Sequence, residues 1–517
     1  MNFLQTFDYN YILNNIYLIK DFSQNFPFMS IIISMFTGVL CVILNSKTAR
    51  NLCLASISVI LIMSILNLLY CKKSGEYYIY MMGHFPAPWG NEIRIGILEA
   101  IFSLMSALVM LLSLLAGMKY IFNDVESNKQ NYYFFMMNLL FCSILSLIYT
   151  NDLFTAYVFV EINTLTSGAI IMLRNKKDTL VATVRYIIIS LLASGLILLA
   201  ISMLYDITGH LLMSNVKLEV HQLMQNGKYK LPMEMIICLF AIGLGVKAAL
   251  FPFHSWLPDA HGTATTSSSA ILSGLVLKSY IILFIKICYR VIGIDIILYS
   301  YILNLLFIFA ILSMCIGSLK AIKEKDIKRM VAYSSIAQIG YIYLGMSIGT
   351  NDGFAAACLQ IFAHAFTKSM IFCAVGTLID VSNGNKKIID MEGAARKNLF
   401  AGIVFTVGAF SMIGLPLLAG FNVKYYLIEA ALKSEKFIIF TSATLILSAT
   451  LNALYYIPTI MVLFKKTEET KKLSLFSKKI DGLFIVSSII FVGVILFLGL
   501  NAQLVIDFIK QGLMLFG

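Results

Sequence analysis

The fold class predicted by this sequence is an all-α, polytopic membrane bundle of about fourteen transmembrane helices. Three observations predict it. Hydrophobic residues make up 59% of the 517 residues and charged residues only 13%, where a soluble domain carries about a quarter. The mean hydropathy is +0.85. Apolar runs of about 18 or more residues, each long enough to cross a bilayer, recur along the whole length.

In order, the spans read roughly 27–44, 52–70, 95–119, 132–149, 153–173, 181–205, 233–250, 267–291, 296–319, 327–348, 355–378, 399–432, 437–463 and 483–508. The longest connections are 72–94, 206–234 and 465–481, and no soluble domain is appended. Residues 1–25 are too polar for a cleavable signal, and the first apolar run is followed by another span.

Two spans are expected to break. The seventh carries Phe251-Pro252-Phe253-His254 just after Lys247. The twelfth carries Gly414, Pro416 and Gly420 just before Lys424. Proline and glycine free backbone groups that neighbours or a wet cavity must then satisfy. Interrupted spans at matching places in two halves point to an ion site at their interface. Spans four to eight and nine to thirteen are therefore expected to be related five-helix repeats. The chain divides accordingly into 1–130 (three spans), 131–293 (first repeat), 294–464 (second repeat) and 465–517 (a loop and the last span).

The net charge of +12 is spread over many short loops, the pattern of membrane topology rather than of a nucleic-acid groove. Basic residues concentrate after odd-numbered spans, for example Lys47, Lys119, Arg174, Lys320, Lys328, Lys386 and the lysines between 465 and 479. That face should be cytoplasmic, with both termini outside. The cysteines lie almost wholly inside apolar spans and form no C-x-x-C pair, so neither a disulfide framework nor a metal site is indicated. With no Gly-rich phosphate loop either, no cofactor is expected.

The ionisable residues inside spans are Glu99, Glu161, Lys247, Lys278, Lys286, Lys368, Lys424, Glu429 and His364. Such residues snorkel to the headgroups, close structural ion pairs, or mark a functional path. The first two accounts suit Lys286, Glu99 and Glu429. Glu161 lies mid-span with apolar flanks, and Lys247, Lys278 and Lys424 share that depth, so these four are candidates for ion movement. Burial disfavours the charged form of a lysine and a nearby carboxylate restores it, which lets a Glu–Lys pair switch a proton's hold. Histidine passes protons near neutral pH, and His254, His261 and His364 fall at a break or within a span. The spacing of His254, Asp259 and His261 is not a metal-ligand pattern. His210 and His221 lie in a polar connection and are expected at the surface.

Four stretches carry a family resemblance: Val246 to His261 (VKAALFPFHSWLPDAH) with Leu272 to Lys278; Asp326 to Tyr341; His364-Ala-Phe-Thr-Lys368 with Phe372 and Gly376; and Gly414 to Lys424. Over roughly 131–463 the chain resembles the antiporter-like subunits of respiratory complex I, Mrp-type cation/proton antiporters and membrane-bound energy-converting hydrogenases. The resemblance implies an ion-translocation axis through Glu161, Lys247, Lys278 and Lys424, with His364 and Lys368 linking two half-channels. It also implies partner membrane subunits, some of them antiporter-like, a peripheral redox module or an opposing ion gradient as energy source, and the cytoplasmic membrane of a prokaryote. Residues 262–269 depart from the Pro-containing segment of many relatives. With a short stretch after the last span, the long lateral helix of the largest complex I member is expected to be absent. Two other readings are a quinone-reacting redox subunit and an inactive structural scaffold. The first would need a constellation near one membrane face, and the second should have lost some of the axis charges.

Overall fold

The computed structural model describes residues 22–517 apart from 88, 175, 226–228, 299, 435–436 and 467–480. The lysines expected between 471 and 479, and most of the stretch read as too polar for a signal, lie outside the described residues. The first spans are α1 (Phe26–Ile43), α2 (Ser46–Ser74) and α3 (Ile97–Asp124), followed by α4 (Gln130–Tyr149), α5 (Leu153–Met172) and α6 (Lys177–Thr208). A surface helix, α7 (Met213–Gln225), precedes the broken seventh span, α8 (Lys230–Lys247) and α9 (Leu257–Thr263). The eighth span is α10 (Thr266–Ile292). Then come α11 (Ile302–Lys323), α12 (Ile327–Ser347), α13 (Asn351–Val381), the broken pair α14 (Leu399–Ile413) and α15 (Ala419–Ser434), α16 (Ile438–Phe464), α17 (Gly482–Leu500) and α18 (Ala502–Met514).

Among the described residues, eleven helices are long and apolar enough to cross a membrane. The remaining expected spans, α8, α12 and α14–α15, are helical where expected. They fall short of that measure because α8 carries Lys230, Glu234 and Lys247, α12 is rich in Ser, Tyr and Gln, and α14 and α15 are each short. The order of burial sets the architecture. The apolar windows of α10 and α13 are 100% buried, whereas those of α1, α2 and α17 are only 33% buried. A helix apolar on every side belongs in a bundle centre, and these two central helices carry Lys278, His364 and Lys368.

Three local features differ from the expectation. The 72–94 connection holds an antiparallel hairpin, β1 (Tyr78–Met81) with β2 (Glu92–Ile95), in an otherwise helical chain. The hairpin leans on the end of α4, where Asn151 donates to the Glu92 carboxylate at 2.6 Å. The 206–234 connection contains α7, whose Met213, Val216 and Val220 are buried at helical spacing. The last apolar run, read as one span to 508, breaks at Asn501. There α18 turns off with Asp507 and Lys510 on it, and Lys510 pairs with Asp352 at 2.6 Å.

Candidate functional site

The helix of α8 ends on Lys247 itself, and the break supplies its own partners. Ala249 takes a positive φ of 58°, Leu250 N donates to Gly245 O at 2.9 Å, and Phe251 N donates to Ser313 Oγ at 3.0 Å. The Trp256 indole donates to Val246 O at 3.3 Å. These backbone groups at the break are thus met by the segment's own backbone, by Trp256 and by Ser313 of α11, as a low-dielectric setting demands. Lys247 is 1% exposed, its Nζ 3.8 Å from Glu161 Oε1 and donating to Thr164 Oγ1 at 2.7 Å. The ring of Tyr280 lies 5.5 Å away. The sequence could not show that Glu161 and Lys247 meet, since they sit on different helices; the fold brings them together.

The centre lies on α10 and α13. A π-helical turn, Leu272–Val276, interrupts α10, and Lys278 Nζ donates to the Ser273 carbonyl inside it. Single π turns release a carbonyl and recur at functional sites. Gly274 in this turn sits against α13 so closely that an added Cβ would overlap Ser369 Oγ. On α13, His364 is fully buried and, among the described residues, neither ring nitrogen has a hydrogen-bond partner. The same holds for His261, which stacks on Phe372 at 5.3 Å. His364 and Lys368 lie one turn apart on α13, which packs against the Lys278-bearing α10 at Gly274 and Ser369. Four unpartnered imidazole nitrogens there are the donors and acceptors that bridging water requires.

The far half holds the remaining lysines. Lys368 Nζ donates to Val331 O at 2.9 Å, to Ser334 Oγ and to Tyr456 OH at 3.3 Å. Lys424 Nζ donates to Ile413 O at the end of α14 and lies 5.7 Å from the Tyr341 ring. Among the described residues no carboxylate pairs with Lys424, so the two breaks are not chemically equivalent. His254 stacks on Phe251, and its Nε2 lies 2.8 Å from Lys320 Nζ. Lys320, read above as a loop charge, is therefore a partner of a candidate residue.

The charges set aside as structural have structural partners. Lys286 is buried rather than snorkelling, and donates to the carbonyls of Leu147, Ile148 and Thr150 at 2.6–2.9 Å, capping the end of α4. Glu99 pairs with the buried Arg290 and accepts from Gly96 N at 3.0 Å. Glu429 pairs with Lys433 one turn on, at 2.7 Å.

A polar cavity of about 390 Å³ opens on the face expected to be cytoplasmic, lined by Arg174, Lys176, Lys328 and Lys386 among others. Three of these cations are committed to one task. Lys386 donates to Gly262 O at 2.8 Å, Arg174 to Thr263 O at 3.0 Å, and Lys328 to Ala264 O at 2.7 Å. They cap the carboxyl end of α9, where cations complement the helix dipole. Burial, and then the neighbouring Arg174, hold the Lys386 ammonium below the usual lysine range. These residues carry the loop-charge bias used for orientation, but they also pin the link between the broken span and α10.

Sequence reasoning singled out Glu161, Lys247, Lys278, His364, Lys368, Lys424 and His254. It omitted the uncharged groups that hold them, chiefly Thr164, Tyr280, Ser334 and Tyr456. Thr164 lies one helical turn beyond Glu161, a weak signal among the many hydroxyl residues of the spans.

Residues 150–449 match the family described as NADH:quinone oxidoreductase/Mrp antiporter, transmembrane. The NADH-quinone oxidoreductase subunit N of Desulforudis audaxviator is 31% identical over 84% of this chain and 85% of that protein. A Na(+)/H(+) antiporter subunit of Alkalihalophilus pseudofirmus is 28% identical over 69% of this chain and 70% of its own. Among solved structures, a chain of the membrane-bound sulfane sulfur reductase, an archaeal respiratory membrane complex, superposes with a TM-score of 0.84. It is 24% identical, over 95% of this chain and 97% of that one. A chain of the Mrp complex from Dietzia sp. gives a TM-score of 0.82 at 20% identity, over 95% of this chain and 97% of its own.

Proposed function

Since the chain belongs to the NADH:quinone oxidoreductase/Mrp antiporter transmembrane family, we propose that it is an ion-translocating membrane subunit, moving protons, or sodium against protons. The observation that carries this reading is the pairing of buried Lys247, at a helix break, with the partly exposed Glu161, on the helices that flank Lys278, His261, His364 and Lys368. Intramembrane charges are costly and persist where they serve an ion path. Opening and closing the Glu–Lys pair changes how tightly the lysine holds its proton. The centre then passes charge toward Lys368 and Lys424.

The reading extends to partners. Glu161 lies on the outward stripe of α5 with Phe154, Val158, Leu165 and Met172, which are 39–57% exposed, and its own side chain is 22% exposed. A carboxylate at that depth facing lipid is expensive. This supports a neighbouring membrane subunit covering the stripe, in a complex powered by a redox module or an ion gradient. The similar positions of Lys247 and Lys424 beside breaks support the division into repeats 131–293 and 294–464. The bacterial relatives support the cytoplasmic membrane of a prokaryote, and the loop-charge bias supports both termini outside.

The test uses the assembled complex in sealed vesicles. Lys247→Ala and Glu161→Ala are each expected to abolish ion transport while the complex still assembles. Transport at the unmodified rate in well-assembled Lys247→Ala vesicles would sink the reading.

A further inference from the structure

Lys247 has two partners, and the nearer is the uncharged one: 2.7 Å to Thr164 Oγ1 against 3.8 Å to Glu161 Oε1. What surrounds Thr164 is a directional chain. Thr164 Oγ1 donates to Val160 O at 2.9 Å. Tyr280 OH, 3.4 Å from Thr164 Oγ1, donates to Asn163 Oδ1 at 3.2 Å. Asn163 Nδ2 donates to Ser279 Oγ at 3.2 Å, and Ser279 Oγ donates to Val276 O at 2.7 Å.

The hydroxyl protons of Thr164, Tyr280 and Ser279 and one of the two Asn163 amide protons are thus committed away from Lys247. What remains facing the ammonium is the acceptor lone pairs of Thr164, which the Tyr280 hydroxyl adjoins, with the Tyr280 ring at 5.5 Å adding its negative face. An ammonium has three donors and no acceptor, so the chain is polarised to receive a charged lysine and to repel nothing on it. Meanwhile, among the described residues, Glu161 Oε1 has no hydrogen-bond partner. The geometry is that of an ion pair already half opened, with the lysine leaning on a fixed support.

We propose that Thr164 and Tyr280, oriented by Asn163, form a second seat for the charged Lys247 side chain, occupied whenever its pair with Glu161 opens. The inference rests on the ion-translocation reading and adds positioning residues to it. Without the seat, opening the pair strands a bare ammonium in a low-dielectric site, which is a barrier to each transport cycle. With it, the lysine exchanges a carboxylate for hydroxyl oxygens and keeps its charge solvated. Asn163 matters because an amide offers an acceptor to Tyr280 and a donor to Ser279 at once, and so sets the direction of the whole series.

The experiment compares Thr164→Val, Thr164→Ser, Tyr280→Phe and Lys247→Ala in the assembled complex, reconstituted in sealed vesicles. A hydrogen bond to a charged group is worth enough that losing it slows transport about tenfold in Thr164→Val. Tyr280→Phe, which keeps the ring packed, is expected to slow it several-fold, and Thr164→Ser to restore the unmodified rate. Infrared spectra with isotope-labelled glutamate should show an altered Glu161 carboxylate band in Thr164→Val, since Glu161 is then the lysine's one strong partner. Unmodified rates and an unchanged carboxylate band in both Thr164→Val and Tyr280→Phe, with Lys247→Ala inactive, would overturn the seat and leave the broader reading standing. Failure of Thr164→Ser to restore the rate would likewise overturn it. Active Lys247→Ala vesicles would overturn both.

Discussion

At the scale of single residues, depth alone does not separate a working charge from a structural one. Lys247, Lys278, Lys286 and Lys368 are all buried; their partners differ. Lys286 faces three carbonyls at the end of α4, a complete set for its three donors, and has nothing to exchange with. Lys247 faces a carboxylate and a hydroxyl at unequal distances. Lys286→Ala is therefore expected to lower the heat stability of the complex, by about 2–4 kcal/mol for orphaned buried carbonyls. Transport per assembled molecule should fall far less than in Lys247→Ala. Thermal denaturation read beside vesicle transport checks this, and equal damage to transport by the two substitutions would refute the sorting. Lys286 was legible as structural, but not the manner of it: a mid-membrane lysine reads as snorkelling, whereas the fold spends it on a helix end.

At the scale of elements, the two breaks and the π turn place the charges. A straight helix would leave Lys247 and Lys424 beside the ordinary backbone ladder with its carbonyls already bonded. Ending α8 at Lys247 and α14 at Ile413 opens carbonyl and side-chain positions around each ammonium. Gly414 shows how tight the second break is. Its φ is +95°, a conformation strained for any residue with a Cβ, and an added Cβ would overlap Lys424 Nζ. Gly414→Ala is expected to cost about 1–2 kcal/mol from backbone strain alone and to displace Lys424, reducing transport. Unchanged denaturation temperature and unchanged transport in this variant would show that the break does not position the lysine. The glycines and prolines of both breaks were legible in the sequence, because few residues tolerate those conformations. The π turn was not, since Leu272-Ser-Gly-Leu-Val276 reads as ordinary helix.

At the scale of the whole molecule, the order of burial runs from α10 and α13 outward to α1, α2 and α17. Lys247, Lys278 and Lys368 follow the buried centre, while Glu161 and Lys424 are only half-buried. The loop-charge orientation is checked with single cysteines in a cysteine-free background. Asn385→Cys, in the exposed connection after α13, is expected to react with an impermeant maleimide in inverted vesicles only. Glu76→Cys, exposed between α2 and β1, should react in right-side-out vesicles only. The reverse pattern would invert the proposed topology.

By itself the sequence determined the membrane-spanning helical class, the breaks in the seventh and twelfth spans and most of the charges inside the spans, but not the buried Arg290 and Lys328 or the break at Asn501. Each of these follows from one segment's own chemistry: apolar length against bilayer thickness, proline and glycine against the helix ladder, and charge against hydrocarbon. The tertiary structure alone decided which charges meet. Glu161 reaches Lys247 across two helices, Arg290 claims Glu99, and three cations from distant segments converge on the carbonyls of 262–264. Those pairings span tens to hundreds of residues. Helix periodicity says which face a side chain occupies, but only packing says which neighbour that face is turned to.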